Sequence, residues 1–102
     1  MSVQQGQSSA LDACFGQVLR RLREARALTQ EGLGFDADLS RNYISLLELG
    51  QQSPSLRTLQ ALCSPLGVSL SQMMLQLEQE MAQRAKAVGK EAIKATGKAA
   101  RR

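Results

Sequence analysis

Apolar residues fall at intervals of three and four along most of the chain. Leu11, Cys14, Phe15, Val18, Leu19, Leu22 and Ala25 trace one stripe, and Arg20, Arg21, Arg23, Glu24 and Arg26 fill the other faces. That spacing predicts an amphipathic helix over about 11–26. Thr29 offers a hydroxyl to a free backbone N–H and so caps a second helix over about 30–36, with Leu33 and Ala37 inward. Gly32 and Gly34 weaken this short helix, each by roughly 1 kcal/mol relative to alanine. A turn is expected from Asp36 to Leu39.

Ser40 caps a third helix that runs to Leu49, with Ile44 and Leu47 facing inward, and Gly50 ends it. Ser53 and Pro54 are expected to open a fourth helix, since proline suits the first helical position. Leu56, Leu59, Ala61, Leu62 and Cys63 are its expected buried side, with Pro65 and Gly67 as the stop. Ser69 and Gln72 have capping-box spacing, and Leu70, Met73, Met74, Leu77 and Met81 follow at helical steps. No segment alternates with period two for long, so the expected fold is all-α.

Beyond Met81 the composition shifts to alanine, lysine and glycine. Lys86, Lys90, Lys94 and Lys98 recur every four residues and would form one basic stripe on a helix. Gly89 and Gly97 oppose a stable helix there, so fraying, disorder or order only on binding is expected. The organisation is therefore read as a disordered segment over 1–10, a helical domain over 11–75, and a helix extension with a basic Ala/Lys-rich tail over 76–102.

Composition narrows the function. The net charge is +4, and residues 1–75 carry six arginines against six acids, so the whole excess lies in the last 27 residues. An acidic partner follows, met in part by the tail. No run of eighteen apolar residues exists and the N-terminus lacks a basic-then-apolar leader, so no membrane association and a cytoplasmic setting are expected. Cys14 and Cys63 sit within apolar helical patterns and read as reduced core thiols. With no histidine, no metal-ligand spacing, no phosphate-cradling glycine loop and no paired carboxylates, neither a metal, a cofactor nor an enzyme is expected.

The third helix carries the candidate chemistry. Two short helices joined by a tight turn, with further helices packed behind, suit a helix-turn-helix. The major groove of DNA admits one helix, which needs a buried face to hold it and an outer face that reaches base edges. Ile44, Leu47 and Glu48 lie on one side of the third helix, and Asn42, Ser45, Leu46 and Leu49 lie on the other, with Arg41 near the start. Arginine pairs with guanine edges and asparagine with adenine. From these residues alone, a solvated surface helix in a plain five-helix bundle fits equally well.

Four motifs in fixed order alter that balance: LTQE at 28–31, LSRNYIS at 39–45, LELG at 47–50 followed by PSLRTL at 54–59, and LGVSL at 66–70. Together with the first helix, they resemble the XRE family, the Cro and lambda-repressor-like regulators, over about residues 15–74. The resemblance implies a five-helix lambda-repressor-like helix-turn-helix domain and a sequence-specific transcriptional regulator, with repression expected ahead of activation. By the same resemblance Arg41, Asn42, Ser45 and Leu46 would read bases. Gln30, Tyr43, Gln51 and Gln52 would meet the DNA backbone. Arg23 and Glu48 match a pair that often forms a buried salt bridge between the first helix and the recognition helix. Double-stranded DNA and a second copy of the chain are the implied partners, with near-palindromic sites. Leu77 and Met81 extend past the expected core and are candidates for the dimer seam, with Val88, Ala92 and Ile93 as a continuation.

Two departures from the family pattern matter. Gly32 and Gly34 stand where an acid and an alanine are usual, which weakens the second helix. Leu46 and Leu49 stand on the expected DNA face where the family often carries Arg or Lys. Leu46 suits a thymine methyl group; the alternative for this face is a protein partner, as in an antitoxin-like interaction module.

Overall fold

The computed structural model describes residues 9–96, with side-chain surroundings for residues 9–87. These residues form five helices: α1 (Ala10–Ala25), α2 (Gln30–Ala37), α3 (Arg41–Glu48), α4 (Leu56–Leu66) and α5 (Leu70–Thr96). Each begins at a hydroxyl. Ser9, Thr29, Ser40, Ser55 and Ser69 accept hydrogen bonds from the N–H three residues on, at 2.9–3.1 Å. Such a bond satisfies one of the free donors at a helix start and contributes typically ~1 kcal/mol. Gln72 completes the box at α5, its Oε1 accepting from the Ser69 N–H at 2.8 Å.

Several boundaries differ from the sequence reading. Ser9 and Ala10 belong to the first helix and its cap, while residues 1–8 and 97–102 of the expected disordered ends lie outside the described residues. The helix expected to open at Ser53 and Pro54 starts at Leu56, because Ser55 supplies the cap. Pro65 lies in the last turn of α4, which ends as expected at Leu66, with Gly67 in the left-handed conformation as its cap. The proline removes a backbone bond to the Ala61 carbonyl, but only Leu66 follows it in the helix, so little stability is forfeited. The fifth helix passes Met81 and Gly89 and continues to Thr96, through the stretch where glycine predicts fraying.

The core is aliphatic. Val18, Leu19, Leu33, Ile44, Leu47, Leu62 and Met73 are fully buried, joined by Phe15 and Leu66. Each such side chain contributes roughly 1.5–3 kcal/mol on burial. The start of α4 shifts its buried face: Thr58, Leu59, Leu62 and Leu66 turn inward, Ala61 and Cys63 are half-buried, and Leu56 is 78% exposed rather than buried. Leu11 and Ala25 at the ends of the α1 stripe are exposed too. Cys14 and Cys63 are both free thiols, and burial pushes the Cys63 thiol above its ordinary value. Among the described residues no helix is long and apolar enough to cross a membrane.

The packing order places α3 against both α1 and α2, with α5 returning along α1 and α4 between α2 and α5. Two close backbone approaches make this possible. Gly16 of α1 is buried, and a Cβ there would lie 2.5 Å from the Glu48 carbonyl oxygen and 2.7 Å from that of Leu47. Any side chain would push α3 off α1. Gly34 stands in the same relation to the turn: a Cβ would lie 2.5 Å from the Leu39 carbonyl oxygen, and the Leu39 N–H donates to the Gly34 carbonyl at 2.8 Å. The weaker helix propensity of Gly34 is therefore exchanged for a tight connection between α2 and α3.

Candidate nucleic-acid interface

The turn between α2 and α3 consists of residues 38–40, with Asp38 in the left-handed conformation at φ 62°. Ser40 then starts α3 by accepting from the Tyr43 N–H. Ile44 and Leu47 anchor the helix in the core at 0% exposure. At 100° per residue their burial turns Asn42, Ser45, Leu46 and Leu49 outward. Arg41 and Asn42 are exposed, Ser45 and Leu46 half-buried, and Leu49 63% exposed. The ridge from Asn42 to Leu49 is about 10 Å long at ~1.5 Å rise per residue, and a helix roughly 10–12 Å across fits a groove ~12 Å wide.

The cation at the start of α3 is left available. Arg20 pairs with Glu24 at 3.0 Å, Arg21 with Glu80 at 2.7 Å, and Arg23 with Glu48 at 2.6 Å. Arg41 and Arg57 take part in none of the ion pairs among the described residues. Asn42 and Ser45 likewise use no side-chain hydrogen bond within the described chain, so their polar atoms face outward for a partner.

The orientation of α3 is set from behind by a small polar network. Arg23 Nε donates to Glu48 Oε2 at 2.6 Å, and its Nη2 donates to Oε1 at 3.0 Å, a bidentate pair. Its Nη1 donates to the Leu28 carbonyl at 2.8 Å. Gln30, from the first turn of α2, donates through Nε2 to the same Glu48 Oε1 at 3.0 Å. One carboxylate thus ties α1, α2 and α3 together. The pair is largely out of solvent, at 12% and 5% side-chain exposure. The hydrogen bond to Glu48 raises the Arg23 pKa further above its ordinary value, with burial opposing and the charges of Glu48 and Glu24 assisting. Among the described residues no buried side-chain nitrogen or oxygen lacks a partner, so the network carries no unsatisfied polar group.

The remaining sequence-derived positions flank this helix. Tyr43 is half-buried, and its hydroxyl lies 3.3 Å from Thr58 Oγ1. Thr58 is in turn fixed by Ser55, whose hydroxyl donates to Thr58 Oγ1 at 3.0 Å. Gln51 and Gln52 are exposed just after α3, and the Gln51 N–H donates to the Leu46 carbonyl at 2.9 Å. Leu77 lies in an apolar groove of about 180 Å³ with Leu11, Phe15, Pro54, Leu59 and Met74. Met81 is 42% exposed, farther along α5. The side chains of Val88, Ala92 and Ile93 fall outside the described surroundings.

Sequence reasoning missed three contributors. Gly16 gives no local signal, since its need arises only where α3 crosses α1. Thr58 and Ser55 carry a visible one, the S-x-x-T spacing of a helix start, which Pro54 beside it masks. Phe35 is 86% exposed on the outer side of α2, and nothing in the structure explains its exposure.

The model of a family described as a helix-turn-helix domain matches residues 15–74. The immunity repressor protein of Bacillus phage phi105 is 41% identical over 56 residues, which cover 55% of this chain and 39% of that protein. The control protein C.MunI of Mycoplasma sp is 36% identical over 67 residues, covering 65% of this chain and 90% of its own. The chain therefore spans well under half of the phage repressor and most of the control protein. Among solved structures, the restriction-modification controller protein C.AhdI from Aeromonas hydrophila superposes with a TM-score of 0.62 at 37% identity, covering 64% of this chain and 98% of that one.

Proposed function

The chain belongs to the helix-turn-helix domain family, as an XRE-like DNA-binding regulator, and from that premise we propose that it occupies a near-palindromic operator as a homodimer, with one α3 per half-site. Repression by occupying the operator is proposed ahead of activation, in line with the likeness to the phage immunity repressor. The observation that supports the reading best is the contrast between the two sides of α3. Its inner side is fixed by Ile44, Leu47 and the Arg23–Glu48–Gln30 network, while Arg41, Asn42 and Ser45 on its outer side have no partner among the described residues.

In this reading Arg41 and Asn42 contact base edges, with Ser45 and Leu46 beside them. Gln30, Tyr43, Gln51 and Gln52 meet sugar and phosphate, which positions the helix without reading sequence. Leu77 and Met81, beside the apolar groove on α1 and α5, form part of the seam between two copies.

Selection of bound sites from random duplex DNA at two salt concentrations tests the proposal. The expected result is a palindromic motif with half-sites about one helical turn apart. Recovery of no preferred sequence at either salt concentration would overturn it. One observation favours a second reading, a protein-interaction role: Leu49 is 63% exposed on the same face. Replacing Arg41 and Asn42 together by alanine separates the two, since DNA binding is abolished while a protein interface through the leucines survives.

A further inference from the structure

The outer ridge of α3 changes character along its length. It begins polar, with Arg41 and Asn42, and ends apolar, with Leu46 half-buried and Leu49 63% exposed. No cation stands on the ridge beyond Arg41. We propose that Leu46 and Leu49 read the 5-methyl groups of thymines in the DNA half-site. This rests on the DNA-binding reading above and specifies which bases that face selects.

A leucine side chain has no donor or acceptor. Pressed against guanine O6 and N7, adenine N6 or cytosine N4, it would strip water from a polar edge and return no hydrogen bond, which is unfavourable. The thymine methyl is the apolar group that a base pair offers in the major groove. Two leucines on the reading ridge therefore penalise most bases and favour thymine. Leu49 follows Leu46 by three residues, about 4.5 Å along the helix axis at ~1.5 Å per residue. That distance spans one to two base steps at ~3.4 Å per step, so the two methyls belong to neighbouring steps of either strand.

Protein docking explains the exposed leucines less well. Asn42 and Ser45 share their ridge, and Gln51 and Gln52 follow in the chain, so the apolar strip on α3 itself is two side chains long. A stable protein interface needs about 800 Å² per partner. Thymine methyls need only a spot of leucine size, held rigidly, and α3 is anchored at Ile44 and Leu47.

The test uses the full chain and its selected duplex, with thymines replaced one at a time by deoxyuridine. This exchange deletes the methyl and leaves every hydrogen-bonding group in place. At one or two positions per half-site the affinity should fall about fourfold for each methyl removed. In Leu49→Ala, an exposed substitution, the penalty at one of these positions should vanish while the others persist, and Leu46→Ala should erase the other. Equal binding of the thymine and uracil duplexes by the unaltered protein overturns the inference and leaves the operator reading intact. So do uracil penalties that remain unchanged in both leucine variants. Absence of any preferred duplex sinks the operator reading and this inference with it. The uracil scan on the unaltered chain keeps the inference testable even if Leu46→Ala fails to fold.

Discussion

Glu48 carries more of the site than any residue on its outer face, although it touches no base in the proposed complex. It lies 25 residues from Arg23 in the chain and accepts two bonds from that guanidinium and one from Gln30. Removing one partner of a desolvated ion pair leaves the other charge stranded, so Glu48→Ala is expected to lower stability by about 3 kcal/mol. Denaturant unfolding followed by circular dichroism measures this, and a decrease below ~1 kcal/mol would place the pair among weak surface bridges. Arg23 has a raised pKa, and a raised group contributes its stability below its unfolded value and forfeits it only as pH rises through the folded one. For an arginine that window lies at strongly alkaline pH, so raising the pH to about 10 should leave the Arg23 contribution in place. At this scale the sequence is readable where a residue type has a local role. Thr29, Ser40 and Ser69 cap as their spacing predicts. It is less readable where a role depends on a distant neighbour: the Arg23–Glu48 pair is foreseen only through the family resemblance, and Thr58 beneath Tyr43 is not foreseen at all.

Among the helices, the crossing of α1 over the end of α3 is the most demanding junction. Gly16 leaves no room for a methyl group there, because backbone oxygens of Leu47 and Glu48 occupy the space and cannot rotate aside. Gly16→Ala is expected to cost about 1–3 kcal/mol as an overpacking change, although alanine is the better helix former by ~1 kcal/mol. A thermal melt decides it: a raised midpoint would mean that α3 sits farther from α1 than described. Periodicity finds all five helices because each buries a stripe against the core. It misplaces the start of α4, because two serines and a proline crowd one turn and only the three-dimensional path shows that Ser55 meets the Thr58 N–H. It also places Leu56 inward, and the later start of the helix exposes it. Helix propensity alone argues against a continuous α5, yet Gly89 is accommodated within it.

For the molecule as a whole, positive charge is concentrated toward the end of the sequence. The residues up to 75 are balanced, six arginines against six acids, and three of those arginines are engaged in ion pairs. Lys90, Lys94, Lys98, Arg101 and Arg102 supply much of the remaining positive charge. Replacing these five by glutamine is expected to flatten the dependence of log affinity on log salt, by about 0.9 for each phosphate no longer neutralised. Sequence preference should stay unchanged, since phosphate contacts carry none. Titration of one duplex at several salt concentrations measures both, and an identical slope would remove the tail from DNA binding. The way α3 is fastened has a further consequence. Its pose depends on Ile44, Leu47, Glu48 and Gly16, none of which lies on the ridge of Asn42, Ser45, Leu46 and Leu49. The alphabet this protein recognises is thus separable from the frame that holds it, and new letters can be written at the exposed positions Asn42 and Leu49 without rebuilding the press.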